Sequence, residues 1–286
     1  MNKKNWFLIG LLVLIFSYLL ILQIIAIWPF TIDDMYISLR YAKNWVEGQG
    51  LVWNVGEEPV EGYSNFSFVI LAAIALRLGL DPIVSLKLVG AFGLFSVTLA
   101  IYCLSRLWLN RWLSFIPCIW LLLYRGEILW SISGLETTIY QALICFSLLF
   151  LLKGMGYRFH PQERKEPVWL CFVLSGFFLS LSGFTRPEAP AFMVLFLILA
   201  LLDSPQTNQK KYYKGLLLGC LVCLIFFLPY FLWRLAYYGR LFPNPIYCKS
   251  FVGLYGVMDL GYLHFSWPFI LLVLPAIYFA KDRRHY

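Results

Sequence analysis

Long apolar runs separated by short polar segments dominate the chain. Residues 6–27 form one such run behind the basic start Met1-Asn2-Lys3-Lys4, which predicts a signal anchor with its amino end in the cytoplasm. Further runs predict membrane spans at 84–105, 112–131, 136–153, 167–184, 189–203, 215–235 and 267–280. Segment 65–80 is apolar but short and contains Arg77, so it reads as interfacial, re-entrant or an additional span. If it does not cross, every basic loop falls on one side, as the positive-inside rule requires. Those loops hold Lys3 and Lys4, Arg106 and Arg111, the stretch 153–165, Lys210, Lys211 and Lys214, and Lys281, Arg283 and Arg284. The expected fold is therefore all-α: a polytopic transmembrane helix bundle in one membrane domain, 1–286, with about eight spans and both termini cytoplasmic.

Composition agrees with this pattern. Of 286 residues 61% are hydrophobic and 13% charged, and the mean hydropathy is +0.74. A soluble domain carries about 25% charged residues. The net charge of +8 does not point to nucleic acid, because Lys and Arg concentrate in short loops beside apolar runs. Six of the seven cysteines (Cys103, Cys118, Cys145, Cys171, Cys220, Cys223) lie inside apolar runs and read as small buried hydrophobes; Cys248 is the seventh. His160, His264 and His285 are scattered and make no zinc pattern.

This topology leaves polar segments on the outer side at 28–63, near 132–136, near 185–189 and at 236–266. The first of them holds Asp33, Asp34, Glu47, Glu57, Glu58 and Glu61, six of the fifteen acidic residues. Met35, Leu39, Ala42 and Val46 recur at helical spacing, predicting a short amphipathic juxtamembrane helix capped by Thr31 and closed by Gly48 and Gly50. Asp33, Tyr36 and Arg40 share one face of it. Adjacent carboxylates at such a helix start suit either simple dipole capping, a general base, or oxygen ligation of a divalent cation (Mg or Mn) by Asp33 and Asp34. Glu61 and Tyr63 lie in the Gly/Pro turn that returns the chain to the membrane. Glu136 opens a span, where a carboxylate needs a polar cavity or a capping role. Arg186 and Glu188 sit at a turn between two apolar runs, as a structural pair or as an anion site. Asn244, Tyr247 and Lys249 follow Pro243 and Pro245 in the last outer segment.

These segments, in order, resemble the GT-C glycosyltransferase superfamily. The carriers are DDMYISLRYAKNWVEGQGLVWN with EGYSN, then SGLETTIY, TRPEAP and YYGRLFPNPIYCK. The nearest groups are the AftB-like arabinofuranosyltransferases and the LphB-like membrane proteins; ArnT and the protein O-mannosyltransferases are more distant. The resemblance implies a polyprenyl-phosphate sugar donor and an envelope glycan or lipid acceptor, with transfer on the outer, periplasmic face of the bacterial plasma membrane. It implies catalytic roles for Asp33, Asp34 and Glu136, with Asp33 as the base. Substrate binding would fall to Tyr36, Arg40, Glu61, Tyr63, Arg186, Glu188, Asn244, Tyr247 and Lys249. No nucleotide sugar is needed. The group's members usually run longer, so a short member, a truncated gene product or a fragment is expected. The competing expectations are a transporter or flippase of a lipid-linked envelope precursor and a non-catalytic subunit of an envelope-assembly complex.

Overall fold

The computed structural model describes Leu14 and residues 18–159, 165–205 and 208–250. The rest of the first apolar run, the expected span at 267–280, the three histidines and the basic ends at 3–4 and 281–284 lie outside the described residues. Those described are helical, with no strand. The chain separates into two compact units, Met1–Leu241 and Phe242–Tyr286. The first carries α1 (Tyr18–Ile27), α2 (Asp34–Val46), α3 (Phe66–Arg77), α4 (Pro82–Ser105), α5 (Phe115–Leu123) and α6 (Arg125–Ser131). It continues with α7 (Thr137–Gly154), α8 (Trp169–Thr185), α9 (Ala189–Leu202) and α10 (Gln209–Tyr238). The described part of the second unit contains α11 (Asn244–Ser250).

Three helices, α4, α7 and α10, are long and apolar enough to cross a membrane. At 1.5 Å per residue they run from about 27 to about 45 Å, against a hydrocarbon core of about 30 Å. Their outward faces are apolar: Phe95 is 66% and Ile225 64% exposed. Such surface is costly in water and suits lipid. By the same measure α3 is about 18 Å long and cannot cross as a straight helix. It packs instead against α2, α4 and α8, burying Phe68, Val69, Ala72, Ala73 and Ala75. The apolar run at 112–131 forms two helices rather than one. The chain turns extended at Tyr124 (φ −77°, ψ 104°), just where Arg125 and Gly126 interrupt the apolar pattern.

Small residues bring the long helices into backbone contact. A Cβ on Gly176 of α8 would overlap the carbonyl oxygen of Gly219 on α10, and one on Gly219 would overlap the Phe172 carbonyl. Phe172 meets Gly215 and Gly183 meets Phe227 in nearly the same register, so α8 and α10 run parallel. Between α7 and α8, Ser147 Oγ donates to the Ser175 carbonyl at 2.9 Å and Ser175 Oγ returns a bond at 2.8 Å. Gly90 and Gly93 of α4 lie against Ser131 and Thr138, with Thr138 Oγ1 donating to the Gly90 carbonyl at 2.7 Å. Close approach of small residues with hydroxyl bonds is how helices associate where solvent supplies no hydrophobic drive.

These contacts sort the helix ends. Lys87, near the start of α4, donates to the carbonyls of Trp28 and Phe30 just past α1, each at 2.7 Å. One end of the first unit thus gathers the end of α1, the starts of α4 and α7, and the ends of α8 and α10. Arg106, Lys153, Lys210, Lys211 and Lys214 belong to the opposite helix ends.

Candidate functional site

The gathered end is covered by α2 and the loop that follows it. Asp33, not Thr31, caps α2: its Oδ1 accepts from the Asp34 N–H at 3.0 Å. Asp33, Asp34, Tyr36 and Arg40 all lie on the exposed side, while Met35, Tyr41 and Ala42 are fully buried. The helix start is fixed to the entrance of α7, because the Ile32 N–H donates to the Ser133 carbonyl at 3.3 Å. Gly134, at φ +90°, lies against Met35, where any side chain would collide with the Met35 sulfur.

The loop wraps α2 through side-chain bonds to its own backbone. Arg40 donates Nε to the Trp53 carbonyl and Nη2 to Asn54 Oδ1, both at 2.8 Å, and stacks over the Trp53 ring at 4.1 Å. Asn44 Nδ2 donates to the Val52 carbonyl at 2.8 Å. Tyr41 Oη donates to the Val60 carbonyl at 2.5 Å and accepts from the Gly62 N–H at 2.9 Å. Burial pushes the Tyr41 hydroxyl above its ordinary value, partly offset by the Gly62 bond.

A buried polar chain runs under this cover. Ser38 Oγ of α2 donates to Asn65 Oδ1 at 2.8 Å, and Asn65 Nδ2 donates to Glu136 Oε2 at 2.7 Å. Glu136, 3% exposed, accepts on Oε1 from Arg186 Nη1 at 3.1 Å. Arg186 then forks onto Glu188 through Nε and Nη2, both at 3.1 Å. Its guanidinium lies 5.9 Å from the Tyr140 ring centre. Burial acts to raise the Glu188 carboxyl, but the Arg186 bonds outweigh it and hold the group below its usual range. Arg186 has five N–H groups, and its side chain keeps 33% of its surface accessible.

Glu61 and Tyr63 do different work. Glu61 Oε2 accepts from Arg234 Nη1 of α10 at 2.6 Å, and both residues are buried, at 4% and 5% exposure. Arg234 Nη2 also donates to the Leu241 carbonyl. Burial, working against the ion pair, pushes the Glu61 carboxyl up to about 7. Tyr63 Oη shares a hydrogen bond with Tyr238 Oη at 3.0 Å, and Tyr238 Oη donates to the Leu51 carbonyl at 3.0 Å. Burial pushes the Tyr63 hydroxyl far up. These four residues staple the loop to the end of α10.

Of the residues read from the sequence, Glu136, Arg186 and Glu188 are brought into one bonded cluster. Asp33 and Asp34 lie on the neighbouring helix start, without a hydrogen bond or ion pair to that cluster among the described residues. Tyr36 is exposed on the same helix face, and Arg40 is spent on the loop. Asn244 and Tyr247 lie on α11 in the second unit, where Tyr247 Oη accepts from the Phe242 N–H at 3.2 Å; Lys249 belongs to the same helix. Sequence reasoning missed Ser38, Arg234, Tyr238 and the bonding role of Asn65. An arginine inside an apolar span is itself a signal; the other three carry none that spacing reveals.

Among the described residues no three His, Cys, Asp or Glu side chains gather to hold a metal ion. Asp33 and Asp34 would supply two adjacent carboxylates, with Asp33 Oδ1 engaged in capping; an Mg or Mn ion held by such a pair takes the rest of its oxygen shell from water and substrate phosphate. Comparison with protein-family models, curated proteins and solved structures found no match.

Proposed function

We propose that the chain is a GT-C-type membrane glycosyltransferase. It moves a sugar from a polyprenyl-phosphate carrier to an envelope glycan or glycolipid at the outer face of the bacterial plasma membrane. The observation that supports this reading is the grouping of ionisable side chains at one end of an apolar bundle. There, an exposed Asp33 stands on the helix that, through Ser38 and Asn65, also braces the Glu136–Arg186–Glu188 cluster.

In this scheme the acceptor hydroxyl attacks the anomeric carbon while Asp33 takes its proton. The bond from that carbon to the carrier phosphate breaks with its electron pair leaving on the phosphate oxygen. Inversion follows from attack opposite the leaving group. Arg186, with three of its five N–H groups engaged by carboxylates, turns the remaining two to the departing phosphate. Glu136 acts as a positioning residue, since both its oxygens are occupied.

A second reading, passage of a lipid-linked precursor across the membrane, draws on one observation: the interrupted helix at Tyr124, followed by a buried Glu127. Membranes containing the Asp33→Asn protein, given a labelled polyprenyl-phosphate sugar and envelope extract, test the first. The expected result is a loss of transfer of about a hundredfold or more with normal membrane insertion. Full transfer by that variant removes Asp33 as the base.

A further inference from the structure

The break at Tyr124 places a carboxyl group where no other described charge answers it. Glu127, in the first turn of α6, is 5% exposed. Its one described hydrogen-bonding partner is Gln141 of α7, whose Nε2 lies 3.4 Å from Glu127 Oε2. The other oxygen of each side chain, Glu127 Oε1 and Gln141 Oε1, is buried with no hydrogen-bond partner among the described residues. An ionised carboxylate oxygen and an amide oxygen are both acceptors, so neither can satisfy the other without an added hydrogen.

Among the described residues no cation pairs with Glu127. Arg125, on α6 itself, is exposed. Helix α7 adds Cys145 near the carboxyl. Helix α4 brings Lys87, whose ammonium is committed to the Trp28 and Phe30 carbonyls. Helix α5 contributes Cys118, which donates to the carbonyls of Thr98 and Ser114. From α1, Leu20, Ile24 and Ile27 pack beside Ile128 and Ile132. A carboxylate buried without a charged partner is strongly disfavoured; a neutral acid in the same place is not.

We propose that Glu127 is a proton-binding site of the folded protein. Its Oε1–H donates to Gln141 Oε1 while Gln141 Nε2 donates to Glu127 Oε2, forming a closed acid–amide pair. One proton supplies the donor that both orphaned oxygens lack. It also latches the separated helix α6 onto α7. Removing that proton to solvent leaves a bare negative charge against an amide oxygen and undoes the latch. The inference does not depend on sugar transfer and stands or falls apart from it.

The test is infrared spectroscopy of the full chain in lipid nanodiscs, comparing wild type with Glu127→Gln. The variant replaces the acid by an amide of the same shape that carries the missing donor, so the pair stays closed. Wild type at neutral pH is expected to show a protonated-carboxyl C=O band that Glu127→Gln removes. Gln141→Leu is expected to keep the band but move it to higher frequency, as the hydrogen bond is lost. The apparent melting temperature of wild type should fall as pH is raised into the alkaline range, because the folded state holds a proton that the unfolded chain has released. Glu127→Gln should lack that part of the fall. Wild-type and variant spectra that coincide in the protonated-carboxyl region, with a matching pH profile, would overturn the proposal and leave a carboxylate served by a bridging water.

Discussion

Arg234 and Glu61 show how much a single buried pair governs here. Neither side chain reaches solvent, so each depends on the other. Burial sets the Glu61 carboxyl at about 7, above the ordinary 4.5, so the folded state retains a proton that the unfolded chain gives up. The stability tied to that proton is complete below about 4.5 and is lost as pH rises through about 7. Arg234→Met should therefore cost about 3–5 kcal/mol on the alkaline side, where the remaining carboxylate is charged, and less on the acid side, where it is neutral. Adding Glu61→Leu should recover most of that loss. Thermal unfolding in detergent at several pH values checks this, and a cost independent of pH would contradict it. The sequence shows an arginine inside an apolar run, but its partner lies 173 residues earlier. Only the fold supplies that pairing. Glu136, Arg186 and Glu188 were legible because each interrupts an apolar pattern at a helix end; the links through Ser38 and Asn65 were not.

At the scale of helices, hydrophobic runs reveal where α4, α7, α8, α9 and α10 lie, because lipid-compatible helices need long apolar stretches. They do not reveal the turn at Tyr124. Arg125 and Gly126 interrupt that run only briefly, and the extended backbone depends on neighbours. The wrap of the loop over α2 was equally hidden, since Arg40, Tyr41 and Asn44 act on backbone atoms that have no sequence signature. Contact between α8 and α10 rests on Gly176 and Gly219. Gly176→Leu should force these helices apart at a cost of about 1–3 kcal/mol. Leu217→Ala, on an exposed part of α10, should change little. Melting temperatures of the two variants measure the difference. Equal effects would mean that the glycine contact does not hold the pair.

For the molecule as a whole, charge divides between the two ends of the helices. Basic residues flank one set of ends, while α2, its acidic loop and the Glu136–Arg186 cluster occupy the other. The positive-inside rule predicts that the acidic end faces outward. A cysteine replacing Glu57 should then react with a membrane-impermeant thiol reagent on intact cells. Reaction only after the membrane is opened would reverse the orientation and with it the proposed site of transfer.

Sugar transfer itself is tested most directly by mass analysis of envelope glycans from cells lacking this gene and from the same cells carrying it again as wild type or as Asp33→Asn. The account predicts that a defined sugar disappears without the gene, returns with wild type and stays absent with Asp33→Asn. Unaltered glycans, or an intact lipid-linked precursor accumulating on the inner leaflet, would contradict it.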